Sequence, residues 1–270
     1  MKVTTLIFTA SIFTFLSIIT WVTLSTVSVY SGVSGTAETA VNVFFNNQIG
    51  NMLPISVSTA MFVFFTVEGS LITVYLKNGS VFYNIQQRIG YIRFIKKGLL
   101  KTSIVAMILS LVTYLYEIVL ISFTIHPLNI KFINKRHLSS GLGFFDNGNL
   151  SGIIIFIILS VIGWGVYASF IFAIGLFIKK TTVYLITGAA IGTMLIVLPA
   201  LISNTFDKIL VPLLNLFVVT TLISPGQMQL QGNGVDSTPV YSSFVLSATI
   251  YITITWLLTK LWIAKKQKVG

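Results

Sequence analysis

Two glutamates, Glu68 and Glu117, are the carboxylates that interrupt the long apolar runs of this chain. An uncompensated charge in hydrocarbon costs about 2.5–3.5 kcal/mol on insertion scales, so each marks an ion path, a gate or a hydrogen bond to a neighbouring helix. Glu68 precedes Gly69 and Ser70. Counted back from Lys77 at about 1.5 Å per residue, it sits about 14 Å from the edge of its run, near mid-membrane. That depth makes Glu68 a candidate for a transport path or gate, with a structural hydrogen bond as the other reading. Glu117, about 24 Å from Lys101 on the same count, falls near the opposite interface and reads as a solvated interfacial residue. No other constellation carries catalysis. Cysteine is absent, which removes disulfides, thiolate metal sites and thiol nucleophiles. His126 and His137 share one loop without HExxH spacing or a carboxylate cluster, so no metal site is expected. Gly32-Val33-Ser34-Gly35 matches a serine-protease-like motif, yet no histidine lies in an apolar run to activate the serine. Neither a Walker A loop nor a dinucleotide fingerprint occurs. The chain is therefore expected not to be an enzyme and to bind no cofactor of its own.

The second informative group is Lys77–Lys101, KNGSVFYNIQQRIGYIRFIKKGLLK, a basic stretch between two apolar runs. On a helix over 80–89, Val81, Phe82, Ile85 and Ile89 share one face and Tyr83, Asn84, Gln86, Gln87 and Arg88 the other, the pattern of a helix lying in a membrane interface. Gly90 interrupts it, and Arg93, Lys96 and Lys97 follow in a segment read as an elbow before the next span. Gly79, Arg88, Gly90, Arg93 and Lys97 are the candidate partner-docking residues. A lipid-anchored linker is the plainer alternative.

The elements that hold these residues are membrane helices. Hydrophobic residues make up 55% of the chain and charged residues 9%, with a mean hydropathy of +0.93. A hydrocarbon core of about 30 Å takes about 20 apolar residues. Such runs lie at 5–30, 52–76, 101–124, 151–178, 181–203 and 241–263, so the expected fold is all-α: a polytopic bundle of six transmembrane helices forming a single domain over 1–270. The first run exceeds a secretory h-region in length and reads as a retained span. A further stretch, 209–223, contains Pro212 and Asn215 and is too short to cross; it reads as an outer re-entrant or interfacial segment. Gly188 and Gly192, with Gly163, Gly165 and Ala168, predict close helix contacts, and Pro199 predicts a kink. With both termini inside, 13 of the 17 basic residues fall on the cytoplasmic side, leaving Lys131, Lys135, Arg136 and Lys208 outside. Positive charge retained inside then places both termini in the cytoplasm of a multi-pass protein of the cell membrane. The net charge of +11 is explained by an anionic lipid leaflet, and nucleic acid is not an expected partner.

Lys77-Asn78-Gly79-Ser80, Arg88-Ile89-Gly90, Arg93 and Lys97, in that order before the third span, resemble the permease subunits of type-2 ABC exporters, especially the small six-helix kind of Gram-positive bacteria. The likeness extends to the short basic turn Lys179-Lys180, the outer segment before the last span and the Lys-rich C-terminus. Tyr75 departs from it, standing where many relatives have an acidic residue. The resemblance implies that 80–89 is a cytoplasmic coupling helix and that a separate cytoplasmic ABC ATPase subunit, carrying ATP and Mg, grips Gly79–Lys97. It further implies rigid tilting of the second and third spans, and pairing with a second permease, identical or different. The cargo would be a peptide, bacteriocin or other amphipathic compound moved outward. Two other classes stay open: a non-transporting immunity or complex-anchoring protein, and an ion-coupled secondary carrier working through Glu68. The short turn between the fourth and fifth spans, unlike the long one between the second and third, disfavours an inverted repeat.

Overall fold

The computed structural model describes residues 2–30, 40, 43–45, 47–48, 57–79, 82–125, 150–203, 210–226 and 239–269. His126, His137 and the Gly32–Gly35 motif lie outside them. The described residues are helical, with no strand among them: α1 (Lys2–Tyr30), α2 (Val57–Glu68), α3 (Leu71–Asn78), α4 (Phe82–Ile89), α5 (Tyr91–Thr124), α6 (Leu150–Gly175), α7 (Thr181–Ser203), α8 (Leu210–Phe217), α9 (Val219–Ile223) and α10 (Val240–Val269). Five of these are long and apolar enough to cross a membrane, and α2 with α3 makes a sixth candidate span broken by a bend of 57°. The chain is thus a helical protein built for a membrane.

Two spans differ from the sequence expectation. The second is broken at Gly69–Ser70, where a Cβ on Gly69 would stand 2.9 Å from the Thr102 backbone of α5. Ser70 sutures the break: its N–H donates to Val67 O at 3.1 Å, and its hydroxyl donates to Thr66 O at 2.5 Å. Tyr184 of α7 completes the patch by donating to Ser70 Oγ at 2.6 Å. A break inside a bundle persists when side chains supply the partners that the helix has given up. The third span starts earlier than expected, because nothing between Tyr91 and Thr124 stops a helix. Arg93, Lys96 and Lys97 are consequently in the first turns of α5 and not in a separate elbow.

The helix ends sort themselves by contact. Lys77 reaches the C-terminus of α6, Asn78 donates to Thr181 Oγ1 of α7 at 3.3 Å, and the Phe82 and Tyr91 rings meet Trp262 of α10. These contacts gather the basic stretches Lys77–Lys101, Lys179–Lys180 and Lys260–Lys266 at one end of the bundle, here termed the basic end. Around the middle, Trp164 donates to the Tyr114 hydroxyl at 3.0 Å and packs edge-on against Phe62 and Phe65. Every one of these rings is buried.

The glycines expected to mark close packing do so. A Cβ on Gly188 would collide with the Thr66 hydroxyl of α2, and one on Gly163 would collide with the Leu222 carbonyl of α9. Gly163 is midway along α6. The stretch read as one short segment, 209–223, is therefore two helices, α8 and α9, hinged at extended Val218, with every residue from Val218 to Gly226 buried. Tyr251 of α10 donates to Phe217 O at 2.8 Å, and Thr221 donates to Asn215 O at 2.6 Å. The α8–α9 pair is seated against α6 and α10 at mid-bundle depth. α7 continues helically through the buried Pro199 to Ser203.

Candidate docking face and membrane carboxylates

Lys77 opens the basic connector, yet its ammonium is turned inward. It donates to three carbonyls at the C-terminal end of α6: Gly175 O at 2.9 Å, Leu176 O at 3.0 Å and Ile178 O at 2.6 Å. An ammonium has three donors, so this set saturates it. A cation at a helix C-terminus also complements the carbonyl end of the dipole. Lys77 thus acts as a clamp between the broken span and the α6–α7 turn. Gly79, exposed, closes α3 by donating its N–H to Tyr75 O at 3.0 Å.

From this clamp the chain leads into α4. Phe82 is half-buried and roots the helix on the bundle through rings of Phe94, Tyr91 and Trp262 at 5.4, 6.0 and 6.2 Å. Asn84, Gln87 and Arg88 are exposed; the side chains of Tyr83, Ile85, Gln86 and Ile89, and all of Ser80 and Val81, lie outside the described residues. Gly90 takes φ +76 with nothing within 4 Å of a Cβ, so glycine is demanded there by backbone conformation and not by space. Its carbonyl accepts from Phe94 N at 3.1 Å, starting α5 immediately. Arg93, Lys96 and Lys97 are exposed on the first turns. Five predicted docking residues, Gly79, Arg88, Gly90, Arg93 and Lys97, are therefore all exposed around one turn at the basic end.

Of the two carboxylates, Glu117 departs from the sequence reading, while Glu68 makes the hydrogen bond to a neighbouring helix that was one of its two readings. Glu68, at the last turn of α2 beside the break, is half-buried and accepts a hydrogen bond from Ser11 of α1. Glu117, expected to be solvated, is fully buried. Asn47 donates to its Oε1 at 2.6 Å and Gln48 donates to its Oε2 at 2.7 Å, while Asn47 also reaches Thr23 Oγ1 of α1 at 3.3 Å. Counting along α5 carried no information on what packs beside it, and described residues between α1 and α2 cover this carboxylate. Ala40, Val43, Phe44, Phe45, Asn47 and Gln48 are all buried, and the Phe44 ring meets Tyr114 and Phe156 at 6.2 and 6.1 Å. The signal available in sequence was the Phe44-Phe45 pair followed by amides, in a connection opposite an unpaired carboxylate.

Glu68 and Glu117 have separate partners on separate helices, so the structure does not bring them into one site. Among the described residues there is no cluster of three or more His, Cys, Asp or Glu side chains. Comparison with protein-family models, with curated proteins and with solved structures finds no significant match to the chain.

Proposed function

We propose that the chain is the membrane-spanning permease subunit of an ABC exporter, energised by a separate ATPase subunit docked on the basic end. The observation that carries this reading is the connection between α3 and α5, which presents Gly79, Arg88, Gly90, Arg93 and Lys97 to solvent while rooted in the bundle through Phe82 and clamped through Lys77. A passive surface linker requires neither root nor clamp. A force-bearing connector requires both, since a push on α4 is useful only if it reaches the helices behind it. The break at Gly69–Ser70 modifies how that push travels: α3 moves with the α6–α7 turn as one lever, in place of rigid tilting of a whole second span.

In this reading α4 is the coupling helix, α8–α9 is the re-entrant segment that lines the outer half of the path, and Glu68 at the lever's pivot is the gating candidate. The mixed Phe, Ser and Thr lining of the spans suits an amphipathic cargo such as a peptide, and a second permease encloses the path. Positive charge retained inside puts the basic end in the cytoplasm of the cell membrane. The test is isolation of the full chain from its native membrane in mild detergent. The wild type carries an ATP-hydrolysing subunit, and Arg88→Glu with Arg93→Glu loses it while remaining monodisperse. Retention of the ATPase by the double variant overturns the docking claim. Isolation without any ATPase favours an anchoring or immunity role, and gradient-driven flux in ATP-free vesicles that Glu68→Gln abolishes favours a secondary carrier.

A further inference from the structure

None of the six acidic residues falls within the basic stretches Lys77–Lys101, Lys179–Lys180 and Lys260–Lys266. Half-buried Glu68 accepts from Ser11 and buried Glu117 accepts from Asn47 and Gln48, while Glu38, Asp146, Asp207 and Asp236 are in other stretches of the sequence. The cations Arg88, Arg93, Lys96, Lys97, Lys260 and Lys265 therefore have no protein carboxylate in their own stretches of chain. That leaves these stretches with an unbalanced positive charge that suits an anionic partner.

Next to these cations α5, α6 and α10 leave a lateral groove of about 400 Å³. Its walls include Leu100, Ser103, Ser169, Ile252 and Thr255, and Lys96 stands among its lining residues. The two hydroxyls with mapped bonds are spent within their own helices: Ser169 donates to Gly165 O at 2.9 Å and Thr255 to Tyr251 O at 2.7 Å. A hydroxyl proton satisfied in this way leaves no unmet donor to repel hydrocarbon. Lys96 supplies three N–H donors. Register fixes its height. Tyr91 meets Trp262, and five residues inward from each contact, at about 1.5 Å per residue, bring Lys96 level with the Thr255–Leu257 turn. Lys260 stacks over the exposed Trp256 ring at 3.8 Å one turn nearer the basic end. Cations with tryptophan at one level are the signature of a headgroup interface, and basic pockets between spanning helices take anionic headgroups.

We infer that this groove is a binding site for one anionic phospholipid, its phosphate on Lys96 and an acyl chain along Leu100, Ile252 and Thr255. The occupant is set by the missing counter-charge together with the apolar walls. A zwitterionic lipid offers the same phosphate but cancels it with its own cation, so it fits the walls without supplying net negative charge, and a second copy of the chain would bring further positive charge. The inference is independent of the transport reading, because it concerns binding alone.

The full chain, purified in detergent, is titrated with phosphatidylglycerol or with phosphatidylcholine of the same acyl chains, and the bound lipid is counted by native mass spectrometry. Phosphatidylglycerol is expected to bind at least about fivefold more tightly, the factor that one basic side chain near an anionic surface supplies. Lys96→Gln brings the two lipids close to parity and Lys96→Arg keeps the preference. Ser169→Leu with Thr255→Leu fills the groove and removes the bound lipid of either kind, with thermal unfolding confirming that the variant is folded. Equal binding of the two lipids by the wild type overturns the assignment. So does an equal loss from Lys265→Gln, which would mark a diffuse basic surface, or a dimer whose dissociation by the groove-filling variant leaves lipid counts unchanged.

Discussion

Glu117 shows how a charge-bearing residue is tolerated in a membrane helix when neighbours are committed to it. Both carboxylate oxygens are met by amide donors, from Asn47 and Gln48, in a place that solvent does not reach. Replacing it with Leu strands both donors, each at about 1–3 kcal/mol. Glu117→Leu is therefore expected to lower the thermal midpoint in detergent clearly, and Glu117→Gln, which keeps one acceptor, to lower it by less; equal midpoints for the two would deny the double acceptance. Lys77 makes a parallel case at the other end. Lys77→Met removes three bonds to the α6 terminus and is expected to cost about 1–3 kcal/mol, with faster hydrogen exchange confined to α3 and the α6–α7 turn. Exchange spread evenly through the bundle would contradict a clamp. Neither role was visible in sequence. Lys77 reads as one more cation in a basic run, and only the fold brings the α6 carbonyls, about a hundred residues away, to its ammonium.

Helices were far more legible than their interruptions. Apolar length gave the runs at 151–178 and 181–203 nearly as α6 and α7 appear, because hydrocarbon thickness is a constraint that composition reports directly. The same measure joined α2 to α3 across Gly69–Ser70, since the break is held by Tyr184 from a distant helix and leaves the local hydropathy unaltered. Small residues pointed to close contacts without naming the partner. Gly163 receives the Leu222 carbonyl, and that contact seats α9 at mid-bundle depth. Gly163→Val is expected to unseat it, at a cost of about 1–3 kcal/mol for an overpacked contact. A Thr221→Cys probe reads this out: it is buried and should resist a water-soluble thiol reagent in the wild-type background, then label when Gly163→Val is added. Continued protection in the double variant would place the seat elsewhere.

At the scale of the molecule, the basic stretches are gathered at one end of the bundle. The basic end carries the exposed residues Gly79, Arg88, Gly90, Arg93 and Lys97, the lipid groove and the Lys77 clamp, while Ala40, Val43, Phe44, Phe45, Asn47 and Gln48 are buried around Glu117 of α5 and the α8–α9 pair fills the bundle at mid-depth. The burial of Asn47 and Gln48 against Glu117 was not readable in the sequence, because buried connections look like loops in a hydropathy profile. This arrangement suits a machine pushed at its basic end through α4 and gated at the Glu68 pivot, with the push coming from the proposed ATPase. The absence of native cysteine allows a direct test. Single Arg88→Cys and Phe123→Cys variants, the latter exposed at the far end of α5, are treated in native membranes with a short thiol-to-amine cross-linker. The account predicts that Arg88→Cys is captured by a nucleotide-binding ATPase subunit and that Phe123→Cys is not. Capture of no ATPase at Arg88, or equal capture at both positions, would contradict it.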